Sequence, residues 1–125
     1  MTHETKRILL AEDDTFLTEI LASTLQAHGV DVAIAHDGQK AIDSMDRSPP
    51  DLLLLDLLMP HVDGFAVLRH RQEKRYTFPV LVLSNLGDKI AREKCDALGI
   101  SDYLVKSDMD DSQLWPIVET YLRQS

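Results

Sequence analysis

One cysteine, five prolines and five glycines are spread over 125 residues, and aromatic side chains make up only 6% of the chain. A lone Cys95 excludes an internal disulfide, so the core must hold the fold, and a cytoplasmic setting is expected. No apolar run approaches the roughly 20 residues that a spanning helix needs, and no charged-then-apolar leader is present, so no membrane partner is expected. Cations are scarce as well. Thirteen Lys and Arg stand against 21 Asp and Glu, a formal net charge of −8. Phosphate backbones are gripped by clustered cations, so no nucleic-acid partner is expected. The one basic stretch, Arg69-His70-Arg71 to Lys74-Arg75, is broken by Glu73 and reads as a solvated helix face rather than an RNA contact.

What is present suits a single soluble globular domain over residues 1–125, with 44% hydrophobic and 27% charged residues. Strand-like and helix-like segments alternate five times. Strand one spans Arg7 to Ala11, and Leu17, Ile20, Leu21, Thr24, Leu25 and His28 then recur at helical spacing until Gly29. Val30 to Ala35 reads as strand two. Asp37-Gly38 turns into a short helix carrying Ala41, Ile42 and Met45, which Ser48-Pro49-Pro50 ends. Asp51 to Leu55 is strand three, and Asp63 to Lys74 is helix three, with Phe65, Leu68 and Val62 inward. Pro79 to Leu83, Asp88 to Leu98 and Asp102 to Val105 give strand four, helix four and strand five. The last helix starts near Asp110 or Asp111, with Pro116 near its first turn, and buries Leu114, Ile117, Val118 and Tyr121. Such repetition predicts an α/β fold, a five-stranded parallel sheet with helices on both faces. The doubly wound order 2-1-3-4-5 is the expectation that would make strands one and three neighbours.

In such a sheet, ligands bind at the carboxyl ends of the strands. Strand one runs into Glu12-Asp13-Asp14, and strand three runs from four leucines into Asp56. Strand five runs into Lys106, and Ser84 follows strand four. Each has a plain structural role open to it. Asp14 suits a helix cap, Ser84 another, and Lys106 a lysine reaching solvent. Together they place carboxylates, a cation and a neutral donor on one sheet edge. Crowded carboxylates call for a cation, oxygen donors suit Mg²⁺, and lysine suits a phosphoryl group. Metal-assisted phosphoryl chemistry centred on Asp56 is the leading expectation.

At these residues the chain resembles a known family, the receiver domain of bacterial two-component response regulators. The resemblance rests on Ile8 to Asp14, Ala35-His36-Asp37-Gly38-Gln39-Lys40-Ala41, and Pro50 to Pro60 with Asp63-Gly64 following. Pro79 to Ser84 and Asp102-Tyr103-Leu104-Val105-Lys106 complete it. It implies that Asp56 is the phospho-acceptor, serving a sensor histidine kinase or a histidine phosphotransfer protein. It further implies that Asp13, Glu12, Asp56 and the backbone carbonyl of Leu58 hold Mg²⁺ or Mn²⁺. Ser84 and Lys106 would bind phosphoryl oxygens, and Ser84 with Tyr103 would form the switch. The output would be a protein-binding face of helix four, strand five and helix five, serving a downstream target or a phosphorylation-dependent homodimer. The expected activity is self-phosphotransfer and autodephosphorylation, not turnover catalysis.

Three departures stand out. Ser107 replaces the proline, often cis, that usually follows the lysine, which predicts a trans and shifted loop or a strained one. Asn85 stands where a small residue is usual, either crowding Asp56 or pointing to solvent. Leu58 and Leu86 stand where polar side chains often orient the hydrolytic water, which predicts slow loss of the phosphoryl group. Trp115 lies off the apolar stripe of the last helix, as an interface residue or folded over helix four. Two other classes stay open. One is a receiver-like scaffold that is never phosphorylated. The other is a haloacid-dehalogenase-type phosphatase, which would need an acid at position 58, where Leu58 stands. A flavodoxin is disfavoured, because an acidic triplet repels a phosphate.

Overall fold

Among the described residues, aspartates cap the starts of three helices. In the computed structural model, which describes residues 5–85, 89–108 and 111–123, Asp14, Asp37 and Asp63 each accept a backbone N–H of the first turn. The donors are Leu17, Lys40 and Ala66, at 3.0, 2.8 and 3.0 Å. Each cap satisfies one N–H that the helix leaves without a partner, which is worth about 1 kcal/mol. They open α1 (Thr15–Gln26), α2 (Gly38–Arg47) and α3 (Gly64–Glu73); α4 (Lys89–Ala97) and α5 (Asp111–Leu122) follow.

The strands are β1 (Arg7–Ala11), β2 (Asp31–Ala35), β3 (Leu52–Leu55), β4 (Val80–Ser84) and β5 (Asp102–Val105). They form one parallel sheet in the order β2-β1-β3-β4-β5, as the sequence predicts. Side chains alternate between two cores. Leu9, Leu53, Leu55, Val80 and Val82 pack with Met45, Val67, Leu68 and Cys95 from α2, α3 and α4. Ile8, Leu10, Leu52, Leu54 and Leu81 pack with Leu21, Leu25, Leu114 and Val118 from α1 and α5. All four β3 leucines are fully buried, because β3 is central and covered on both faces. Cys95 is a buried hydrophobe whose thiol burial pushes up to about 11.

Several details differ from the sequence reading. Pro79 stays outside β4 because it has no N–H, yet its carbonyl accepts Leu53 N–H at 3.0 Å. Val30, predicted in strand two, lies buried just before β2. The basic stretch is not uniformly solvated: Arg71 is buried and donates through Nε and Nη2 to the Phe78 carbonyl at 3.1 and 2.5 Å. Its guanidinium also sits 5.3 Å from the Phe78 ring centre, so it ties α3 to the entry of β4. Trp115 does not fold over α4. It stacks on His28, just past α1, with ring centres 4.2 Å apart and planes 2° from parallel. Pro116 lies in the interior of α5 rather than near its first turn. Leu86, Asp88 and Asp110, which the sequence reading also singled out, lie outside the described residues.

Helix α3 ends on a left-handed residue that is not glycine. Arg75 has φ 59°, with Arg75 N–H bonded to the Gln72 carbonyl and Tyr76 N–H to the Arg71 carbonyl. That two-bond closure favours glycine at this position. An L-residue pays roughly 1–2 kcal/mol for left-handed backbone, more than glycine's extra unfolded freedom costs. Arg75→Gly is therefore expected to stabilise the protein by about 0.5–1 kcal/mol, read as a higher urea midpoint at unchanged m-value. A lower midpoint would refute it.

Candidate functional site

The register brings the ends of β1, β2 and β3 level, and the ends of β4 and β5 level with each other. Ala11 pairs with both Ala35 and Leu55, and Ser84 pairs with Val105. One residue further along, Glu12 and Asp56 leave adjacent strands together, while Lys106 leaves β5. Glu12 N–H donates to the Ala35 carbonyl at 3.0 Å and Asp56 N–H to the Ala11 carbonyl at 2.9 Å, so both acids are anchored through their backbones.

Carboxylate oxygens of Glu12, Asp13 and Asp56 lie within 4.8 Å of one another. Glu12 and Asp56 are buried, and Asp13 is exposed. Lys106 reaches across from β5, its Nζ 2.5 Å from Glu12 Oε2 and 3.2 Å from Asp56 Oδ2. The second Glu12 oxygen accepts Asp14 N–H at 3.2 Å, and Asp56 Oδ1 accepts Leu58 N–H at 3.2 Å. Burial pushes the Glu12 carboxyl up to about 7, against the pull of its Lys106 hydrogen bond, and the neighbouring Asp56 charge adds to the rise. Burial alone would lower the Lys106 ammonium, but its bond to Glu12 and the charges of Asp56 and Glu12 hold it above the ordinary lysine value. Lys106 therefore stays a cation among acids.

Two glycines allow the loops to close around these groups. A Cβ at Gly64 would meet the Leu57 Cα at 2.6 Å and the Asp56 carbonyl oxygen at 2.8 Å, so α3 begins directly against the backbone that carries Asp56. A Cβ at Gly38 would lie 2.0 Å from the Val62 carbonyl oxygen, so α2 begins against the loop between β3 and α3. The Leu58 side chain of that loop is 54% exposed, with no polar group for general acid work.

Glu12, Asp13, Asp56 and Lys106 converge. Ser84 ends β4 fully buried, and Tyr103, paired with Val82, is buried with the Arg92 guanidinium 6.0 Å from its ring centre. Asp14 is the α1 cap, as its plain reading had it. The Lys106–Ser107 peptide is trans, and Lys106–Asp108 forms a 3₁₀ turn that still delivers the ammonium to Asp56. Asn85 is exposed, which favours the solvent-facing reading of its amide. His36 was not singled out from sequence. Its Nδ1 lies 3.2 Å from the Glu12 carbonyl oxygen, a contact that only the register of β2 on β1 reveals.

Residues 8–119 match the response regulator receiver domain family. The chain belongs to that family. The transcriptional regulatory protein CpxR of Escherichia coli K12 is 39% identical over 119 residues, 95% of this chain and 50% of that protein. The transcriptional regulatory protein TrcR of Mycobacterium tuberculosis is 38% identical over 100 residues, 80% of this chain and 39% of that protein. This receiver therefore spans half or less of those regulators' length. Among solved structures, the BeF3-activated N-terminal receiver domain of Klebsiella pneumoniae RstA superposes with a TM-score of 0.88 at 28% identity, covering 95% of this chain and all of that one (100%). Receiver domains of this family belong to two-component signalling, and the order of elements here is theirs.

The raised Glu12 carboxyl carries a pH consequence in chelator. Between the ordinary value of 4.5 and about 7, the folded protein holds the Glu12 proton more tightly than the unfolded chain does. The unfolded state then binds fewer protons, so this group's contribution to stability falls as pH rises through that window, by about 3 kcal/mol at most. In EDTA, Glu12→Gln is expected to flatten the decline in melting temperature across it. An identical slope in the variant would refute the assignment.

Proposed function

We propose that this receiver is a phosphorylation-controlled switch in which Asp56 accepts a phosphoryl group from a phosphohistidine on a sensor kinase or a phosphotransfer protein. The carrying observation is Lys106 held 3.2 Å from Asp56 and 2.5 Å from Glu12 at one strand edge. Glu12, Asp13, Asp56 and the Leu58 carbonyl would hold Mg²⁺ or Mn²⁺. The donor set fits, since three clustered carboxylates offer hard oxygens and carry more negative charge than one lysine offsets. The cation, when bound, would neutralise charge on the entering group and on the acids around it.

The chain's own residues supply the rest. A free Asp56 carboxylate oxygen attacks phosphorus, the P–N bond to the donor imidazole breaks, and its electrons return to that ring. Lys106 moves from Glu12 toward a phosphoryl oxygen, and the Ser84 hydroxyl donates to another. Ser84 is fully buried at the end of β4, so engaging it draws the strand end inward. Tyr103, on neighbouring β5, is positioned to report that shift. Beside it lies a cleft of 650 Å³ lined by Arg92, Tyr103, Leu104, Gln113 and Ile117 among others, which supports a protein-binding face on α4, β5 and α5.

Incubation with Mg²⁺ and acetyl phosphate is expected to add one phosphoryl group to the intact mass, and none to Asp56→Asn. Equal labelling of the variant, or no labelling of the wild type by acetyl phosphate, would overturn the reading and favour the unphosphorylated scaffold. The exposed Leu58 offers no polar group to orient an attacking water, so the acyl phosphate is expected to decay slowly. Leu58→Asn should speed decay several-fold, measured by loss of the mass adduct. A slower or unchanged rate counts against this role for position 58.

A further inference from the structure

We propose that His36 is a positioning residue for the metal-binding carboxylates and acts through the backbone of Glu12. This inference rests on the phosphoryl-acceptor reading and deepens it. His36 follows the last residue of β2 and is half-buried. Its Nδ1 lies 3.2 Å from the Glu12 carbonyl oxygen. A carbonyl oxygen only accepts, so Nδ1 carries the hydrogen of this contact. The N–H of Glu12 donates in turn to the Ala35 carbonyl at 3.0 Å. Two consecutive residues at the end of β2 thus hold the N–H and the C=O of a single acidic residue.

The Glu12 side chain has anchors of its own, in Lys106 at 2.5 Å and Asp14 N–H at 3.2 Å. Asp13 is different. It is exposed, yet its carboxylate reaches within 4.8 Å of those of Glu12 and Asp56. A side chain with little packing around it takes its direction from the backbone. The peptide linking Glu12 to Asp13 is planar, so fixing the Glu12 carbonyl fixes the rotation of that plane. That rotation sets the direction in which Asp13 leaves the strand. The His36 hydrogen bond is the contact that bears on it.

The anchor is itself rigid. Asp37, next in sequence, caps α2 by accepting Lys40 N–H at 2.8 Å. Gly38 packs so tightly that a Cβ would lie 2.0 Å from the Val62 carbonyl oxygen. The corner between β2 and α2 cannot drift without displacing the loop that follows Asp56. His36 therefore references Asp13 to the same frame that positions the acceptor. Outer groups of this kind, which aim ligands without touching the ion, typically change metal affinity by tenfold or more when removed.

The test is calorimetric titration of Mg²⁺ alone into the wild type, His36→Phe and His36→Asn, at one fixed pH, with melts in EDTA alongside. Phenylalanine keeps the ring volume and removes the donor, whereas asparagine restores an N–H. The phenylalanine variant is expected to bind Mg²⁺ about tenfold more weakly while melting with the wild type in EDTA. The asparagine variant is expected to recover most of the loss, which a role in packing alone would not produce. Wild-type affinity in His36→Phe overturns the inference, and so does a loss that asparagine fails to recover. Should the phenylalanine variant not fold, His36→Ala serves the same comparison. A wild type that binds no Mg²⁺ refutes the phosphoryl-acceptor reading itself and this inference with it.

Discussion

Two buried carboxylates and an exposed third cannot share one strand edge without positive charge among them, and Lys106 supplies it. Like charges a few ångströms apart repel strongly where water is scarce. Glu12 and Asp56 cannot simply turn outward, because each N–H is already committed to the neighbouring strand. The four leucines before Asp56 lock β3 into both cores, so the register that holds the carboxylates together is set far from them. Slipping β3 by one residue would turn its side chains to the opposite faces, and would withdraw Asp56 from the edge as well. Stability of the sheet and geometry of the site are therefore one constraint.

That constraint also closes the chain on itself. Lys106 bonds to a residue 94 positions earlier and to another 50 positions earlier. Strand β5 sits at an edge, two strands away from β3. Its carboxyl end is tied to the centre of the sheet by the lysine, across β4. Tyr103 lies three residues before Lys106, so whatever moves the ammonium bears directly on the strand that carries the ring.

Most of the fold was legible because two short-range signals agreed: apolar runs of strand length, and aspartates immediately before helices. Strand order was not legible in that alternation and came from the likeness to a known doubly wound arrangement, which the pairing bears out. Glu12, Asp13, Asp56 and Lys106 were legible for a related reason, since a charge directly after a buried run must emerge at a strand end. The illegible parts depend on what lies across the sheet. His36 is an ordinary residue in a turn until the pairing of β1 with β2 sets it beside Glu12. Arg71 belongs to a basic stretch whose spacing suggests solvent, and its burial depends on the Phe78 carbonyl being within reach. Trp115 packs with Ile117 and Tyr121 at the edge of the α1/α5 core, and its stacking partner His28 lies 87 positions earlier, just past α1, with no local pattern to announce it. Ser107 bears on the opposite question. The loop needs no cis peptide to deliver the lysine, because one turn of 3₁₀ helix after β5 does so.

The two sides of the site are built differently, and the difference bears on how a switch could work there. On the β1–β3 side, the Glu12 and Asp56 backbones are held closely: Gly64 packs against Asp56 and Leu57, Gly38 against Val62, and the Glu12 backbone sits between the Ala35 carbonyl and the His36 ring. Such contacts leave no room for adjustment. On the β5 side, a single long side chain makes the connection. Lysine carries four rotatable methylenes and a compact charge, so it can exchange partners at little cost. A phosphoryl group on Asp56 would replace the single charge of the carboxylate with close to two, carried on oxygens within reach of that ammonium. Glu12 and the new oxygens would then compete for it, with the rigid side unable to follow. The adjustment would then fall on Lys106, the one side chain that joins β5 to both acids.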